Sequence, residues 1–224
     1  RQMCIRDRFN NDLLINKAFQ LQLKGKKLEA AKYYSYLIKN GVEDYRVFSN
    51  YGTFLKEIGK YNEAELELKK AIKLNPKYAN AYFNIACLYI EKRNFLKAEI
   101  YLRNAIEIKP DFAIAHYNLG FILQDQGKLQ EAISYIQNSL EIDPQLTNAY
   151  WSLSTLPETE KDQKWQNQLF SKSILNNKNN IELLNIFFAR ANILHKKSKY
   201  KENKMRDSEP PKFANIQAKK VNKN

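Results

Sequence analysis

The sequence predicts an all-α fold: a right-handed solenoid of antiparallel helical hairpins, with four complete repeats and a degenerate continuation. Three observations predict it. A 34-residue period holds its frame over residues 11–146, the length expected of stacked helix pairs. Small residues recur at two fixed places in that period, and glycine and proline punctuate it at two others. With repeats starting at Asn11, Tyr45, Ala79 and Ala113, Gly52, Ala86 and Gly120 share position 8, and Ala30, Ala64, Ala98 and Ala132 share position 20.

Each element of the hairpin follows from a column. The first helix carries large apolar residues at positions 4, 7 and 11, such as Phe48, Tyr51 and Leu55, or Tyr82, Ile85 and Tyr89, at helical spacing. Position 8 is where it crosses the second helix, so only a small residue there, opposite the alanine at 20, lets the backbones approach. Gly25, Gly59 and Gly127 at position 15 can take the left-handed conformation that ends the first helix. In the third repeat Arg93 stands there, and the turn is expected to fall to Asn94 instead. The second helix stops ahead of Pro76, Pro110 and Pro144 at position 32.

The expected organisation is four repeats over 11–44, 45–78, 79–112 and 113–146, a degenerate helical continuation over 147–203, and a basic disordered tail over 204–224. In the fifth repeat Pro157 should stop the first helix near Leu156. A loop over 158–164 and a short amphipathic helix from Trp165 to about Asn176 follow. A further helix from Ile181 to Lys197 carries Leu184, Phe187, Phe188, Ala191 and Leu194, and if Ser198 holds position 15, Ala191 falls at position 8 of a sixth hairpin whose second helix never arrives. Residues 1–8, RQMCIRDR, read as the translation of a transposase sequencing adapter and are set aside from fold reasoning. The native N-terminus is then expected to be missing. Cys4 goes with the adapter, leaving Cys87 and no disulfide framework.

This column set resembles the tetratricopeptide repeat family, most clearly in AHYNLGFILQDQGKLQEAISYIQNSLEIDP over 115–144. A further resemblance, carried by RVFSNYG at 46–52 and FFARANILHKKSKY at 187–200, is to bacterial proteins in which such an array precedes a sulfotransferase domain. That resemblance implies a nucleotide-sulfate donor site, but all six glycines have places in the repeats or the turn after the first of them, so none is left for a phosphate-binding loop.

The formal net charge of +13 is unevenly placed. Residues 45–144 hold 13 Lys plus Arg against 12 Asp plus Glu, whereas 10 basic and 3 acidic residues follow His195. Nearly neutral repeats argue against a groove that tracks nucleic-acid phosphates, and no apolar run is long enough to span a membrane. A cytoplasmic location is expected. His116 sits at a core position and His195 among lysines, neither with partners at ligand spacing, so no metal, cofactor or catalytic residue is expected.

The candidate site is a peptide groove. Asn16, Asn50, Asn84 and Asn118 recur at position 6 of the first helix, and an amide with one acceptor and two donors can pair with both groups of an extended backbone. This arrangement resembles the asparagine ladder of O-linked N-acetylglucosamine transferase, which implies backbone binding by these four residues. Position 5 adds Phe83, Tyr117 and Trp151, and position 9 adds Phe121, an aromatic slot beside the amides. The expected partner is a protein or extended peptide. The expected function is a non-catalytic scaffold, or else the substrate-recruiting array of a sulfotransferase.

Overall fold

The computed structural model describes residues 5–157 and 163–208, with side chains over 10–157 and 164–199. Its helices are α1 (Ile5–Leu23), α2 (Lys27–Lys39), α3 (Tyr45–Glu57), α4 (Tyr61–Leu74), α5 (Ala79–Glu91), α6 (Phe95–Ile108), α7 (Ala113–Asp125), α8 (Leu129–Ile142), α9 (Thr147–Thr155), α10 (Gln163–Phe170) and α11 (Asn180–Ser208). There is no strand among the described residues. The chain divides into two compact units, Arg1–Ile142 and Asp143–Asn224.

In the first unit α1 pairs with α2, α3 with α4, α5 with α6 and α7 with α8. Successive hairpins meet through α2 and α3, α4 and α5, and α6 and α7. The crossings lie where the period puts them. A Cβ on Gly52 would come within 2.8 Å of Leu68 Cγ and 3.2 Å of the Ala64 carbonyl, and one on Gly120 within 2.5 Å of Ile136 Cγ1 and 3.0 Å of the Ala132 carbonyl. Ala64, Ala98 and Ala132 are fully buried. The core runs continuously through these crossings, with Leu68, Ile85, Leu102, Leu119 and Leu123 at its centre.

The turns follow the glycine column with one correction. Gly25, Gly59 and Gly127 have φ near +76°, and Arg93 takes the same left-handed conformation with φ +53°. Asn94 does not make the turn; it is the N-cap of α6, its side chain accepting from Lys97 N at 3.2 Å. Without a glycine the chain still has to reverse at position 15, so the arginine bears a conformation unfavourable to a residue with a Cβ. Arg93→Gly should therefore stabilise the array by about 1 kcal/mol, read as a raised unfolding midpoint.

The proline column works as expected: α4, α6 and α8 end at Leu74, Ile108 and Ile142, two residues before their prolines. His116, at position 4, is buried and its Nε2 donates to the Pro110 carbonyl at 2.8 Å, tying the start of α7 to the preceding turn. The residues before α5 and α7 add an apolar clasp that the period did not announce. Tyr78 packs edge-on to Tyr45 at 4.7 Å, and Phe112 lies 5.0 Å from Phe83.

Charged side chains lace neighbouring hairpins. Lys27 pairs with Glu57 at 2.9 Å and Lys56 with Glu91. Glu65 accepts from Lys69 at 2.7 Å, from Tyr89 Oη at 2.8 Å and from Lys92 at 3.5 Å. The Lys69 hydrogen bond, with help from Tyr89 and Lys92, holds the Glu65 carboxyl down at about 2. A carboxyl depressed by folding stabilises the fold above its unfolded pKa, and that contribution is lost as pH falls toward the folded value. Thermal melts from pH 5 to pH 2 should accordingly show a smaller loss of stability for Glu65→Gln than for the parent chain.

The second unit departs from the frame. α9 stops at Thr155 with Leu156 as its C-cap, as Pro157 requires. Most of the expected loop, residues 158–162, lies outside the described residues. The helix expected to reach Asn176 ends at Phe170, and a 3-10 turn, Ser173–Leu175, completes the segment. Trp165, Leu169 and Ile174 are buried there.

α11 corrects three expectations. It runs to Ser208, past the expected end at Lys197 and into the segment expected to be disordered. Ser198 stands where three of the four complete hairpins have a turn glycine, and the helix runs on through it. The buried face is also different: Ile186, Ala189 and Ile193 are fully buried, whereas Leu184, Phe187, Phe188 and Leu194 are each more than half exposed. Residues 209–224 of the expected tail lie outside the described residues, as do residues 1–4 of the adapter-like segment; α1 begins at Ile5, within that segment.

Candidate peptide-binding face

The position 6 asparagines sit one per first helix, on α1, α3, α5 and α7. Asn16 is exposed and Asn50, Asn84 and Asn118 are half-buried. The half-burial has a cause. Each of the three donates through Nδ2 to the preceding hairpin: Asn50 to Tyr34 Oη at 3.2 Å, Asn84 to Ser49 Oγ at 3.0 Å, and Asn118 to Cys87 Sγ at 3.8 Å. Tyr34 Oη passes its own proton to Gln22 at 2.8 Å, so the first of these contacts is a three-member chain. The amides therefore join hairpins as well as line a face. Each keeps its Oδ1 and a second N–H, one acceptor and one donor, for an outside partner. Asn16 makes no side-chain hydrogen bond among the described residues.

The flanking residues divide into those spent on packing and those turned outward. Ser49 is buried and serves as the acceptor for Asn84. Phe83 is half-buried, committed in part to Phe112 and the central core. Tyr117 is half-buried, and Phe121 is 44% exposed. Trp151 is 45% exposed on α9, in the second unit, and is not grouped with the others. Asn50 borders a niche of about 10 Å³ that Gln22, Tyr34, Thr53 and Glu57 also line, room for a single water.

Burial pushes the Cys87 thiol up to about 11, so at neutral pH it stays protonated and a poor nucleophile. No group of three or more His, Cys, Asp or Glu among the described residues could hold a metal ion. No helix among them is long and apolar enough to cross a membrane.

Three repeat profiles match the chain: tetratricopeptide repeat over residues 113–146, tetratricopeptide repeat over 79–112, and TPR repeat over 54–92. Residues 54–146 are tetratricopeptide repeats. The first two matches share their bounds with the fourth and third repeats of the 34-residue frame. Solved structures with the same fold include MamA, 21% identical, covering 89% of this chain and all of that one with a TM-score of 0.55. YrrB, described as a TPR protein with an unusual peptide-binding site, is 18% identical over 83% of this chain and 90% of its own, with a TM-score of 0.55. A mutant O-GlcNAc transferase from Thermobaculum terrenum is 20% identical over 64% of this chain and 28% of its own, with a TM-score of 0.59. At these identities the likeness is one of fold. No curated protein matches the chain.

The asparagine and aromatic columns were visible in the period, but the inward bonds of the tetratricopeptide array were not. Phe112 is the residue missed; Ser49 shares position 5 with Phe83 and Tyr117, and only its role as acceptor for Asn84 was not legible. Tyr78, Phe112 and Leu146 form an apolar column at position 34, and that column was the available signal for the Phe83–Phe112 contact.

Proposed function

We propose that this protein is a non-catalytic scaffold that binds an extended protein segment along the face shared by α1, α3, α5 and α7. The observation that carries the reading is the recurrence of one amide per repeat, with Asn50, Asn84 and Asn118 each fixed by an inward bond that leaves an acceptor and a donor. A side chain already held in place loses little rotamer freedom when a ligand arrives. The bound backbone would meet Oδ1 and N–H groups at a spacing set by hairpin stacking, while Tyr117 and Phe121 supply apolar contact. YrrB, with the same fold and a peptide-binding site in its description, supports the same use of the array.

The test is a selection of random peptides against the whole chain, followed by affinity measurements on Tyr117→Ala. A residue that reads side chains should matter for some peptides and not others, so the variant is expected to weaken some of the recovered peptides and spare the rest. A uniform loss across all of them would give Tyr117 a structural role instead.

A further inference from the structure

α11 carries a face that no described part of the chain covers. Asn192 Nδ2 donates to Ser154 Oγ at 3.1 Å, Asn185 bonds Asn148, and Lys196 Nζ donates to the Leu156 carbonyl at 2.6 Å. The numbers rise together on both helices, so α11 lies parallel to α9. Antiparallel helices make the hairpins of this fold, whereas successive first helices run parallel. α11 thus takes the place of a first helix. Arg190 fixes it further, donating to the carbonyls of Leu169 and Ser171 at 2.9 Å each.

In the frame where Ser198 holds position 15, Phe187, Ala191 and Leu194 fall at positions 4, 8 and 11. In the second and fourth hairpins the same positions are closed: Phe48, Gly52 and Leu55, and His116, Gly120 and Leu123, are all buried. On α11 all three are exposed, Phe187 at 52% and Leu194 at 58%. This is a first-helix crossing surface, small residue at the centre and large residues on either side, without its second helix.

Charge specifies the occupant. Between Asn180 and Lys199 the acidic residue is Glu182, near the N-terminus, while Lys196, Lys197 and Lys199 crowd the other end. A second helix runs antiparallel, so its first turn would lie beside those lysines, where acidic residues are favoured by the basic flank and by its own dipole. Three of the four second helices of the complete hairpins already have that design: Glu29, Glu63 and Glu131 stand in the first turns of α2, α4 and α8. We infer that the open face of α11 docks an amphipathic helix supplied in trans by a partner, with acid in its first turn and a small residue facing Ala191, completing the sixth hairpin. This surface belongs to the second unit and does not rest on the peptide-groove reading.

The probe is a hydrocarbon-stapled peptide with the sequence of α8, LQEAISYIQNSLEI, which has Glu131 in its first turn and Ala132 at the crossing position. Titrated against the whole chain, it should bind saturably. Ala191→Leu should weaken it by at least about tenfold, since bulk at a close crossing is poorly tolerated, without changing the chain's melting midpoint, because Ala191 is exposed in the free protein. Replacing Lys197 and Lys199 with glutamate should weaken it as well and flatten its salt dependence. Absence of saturable binding, or equal binding to Ala191→Leu, would overturn the proposal. So would a concentration-dependent dimer of the chain that Ala191→Leu dissolves, since the face would then belong to a second copy. Competition by groove-selected peptides against the α8 peptide would also count against a separate site.

Discussion

Ala98→Leu is expected to destabilise the array by about 1 to 3 kcal/mol, seen as a lower denaturant midpoint with an unchanged slope. Ala98 is fully buried at the position 20 crossing of α5 and α6. The cost has a visible measure in the sister hairpins, where even a single added Cβ at Gly52 or Gly120 would approach a side-chain carbon to 2.8 Å or 2.5 Å. A leucine brings three more carbons than alanine, and the helices can make room only by separating, which opens gaps along Leu88, Leu102 and Ala105. The neighbouring Lys97 is exposed, so Lys97→Leu serves as the control and should leave the midpoint nearly unchanged. If both substitutions behaved alike, the crossing would not lie at position 20.

Replacing Asn50, Asn84 and Asn118 together with alanine should weaken every extended ligand by a similar factor, because the backbone is common to all of them. At about 1 kcal/mol net per hydrogen bond, three amides correspond to somewhat more than a hundredfold in affinity. The inward bonds complicate the variant in a defined way. Ser49 is buried, and without Asn84 its hydroxyl loses the donor it accepts from, so some stability goes with the affinity. Asn16 separates the two effects: it is exposed and has no side-chain hydrogen bond among the described residues, so Asn16→Ala should reduce affinity for ligands long enough to reach it and leave the melting midpoint in place.

Much of the fold could be read from the sequence because the crossing is a steric requirement that repeats. A glycine or alanine every 34 residues has few explanations besides close backbones, and Gly52 and Gly120 meet Leu68 and Ile136 accordingly. The Arg93 turn was hidden for the opposite reason: the hairpin demands a left-handed residue at position 15 whatever occupies it, and nothing in an arginine announces that it will comply. α11 misled because it is apolar on two faces. Periodicity picks out Leu184, Phe187, Ala191 and Leu194 as readily as Ile186, Ala189 and Ile193, and only the contacts with α9 decide which set is inside. The asparagine column was legible as a column, but its bonds to Tyr34, Ser49 and Cys87 depend on how hairpins stack.

The central claim is that ligands lie on the first-helix face, and photo-crosslinking tests it most directly. A benzophenone side chain placed at Phe121, on that face, or at Leu96, exposed on the second helix α6, would report where peptides selected against the whole chain are held. The account predicts efficient crosslinks from position 121 that excess unlabelled peptide suppresses, and none above background from position 96. Specific crosslinks from position 96 with none from position 121 would contradict it.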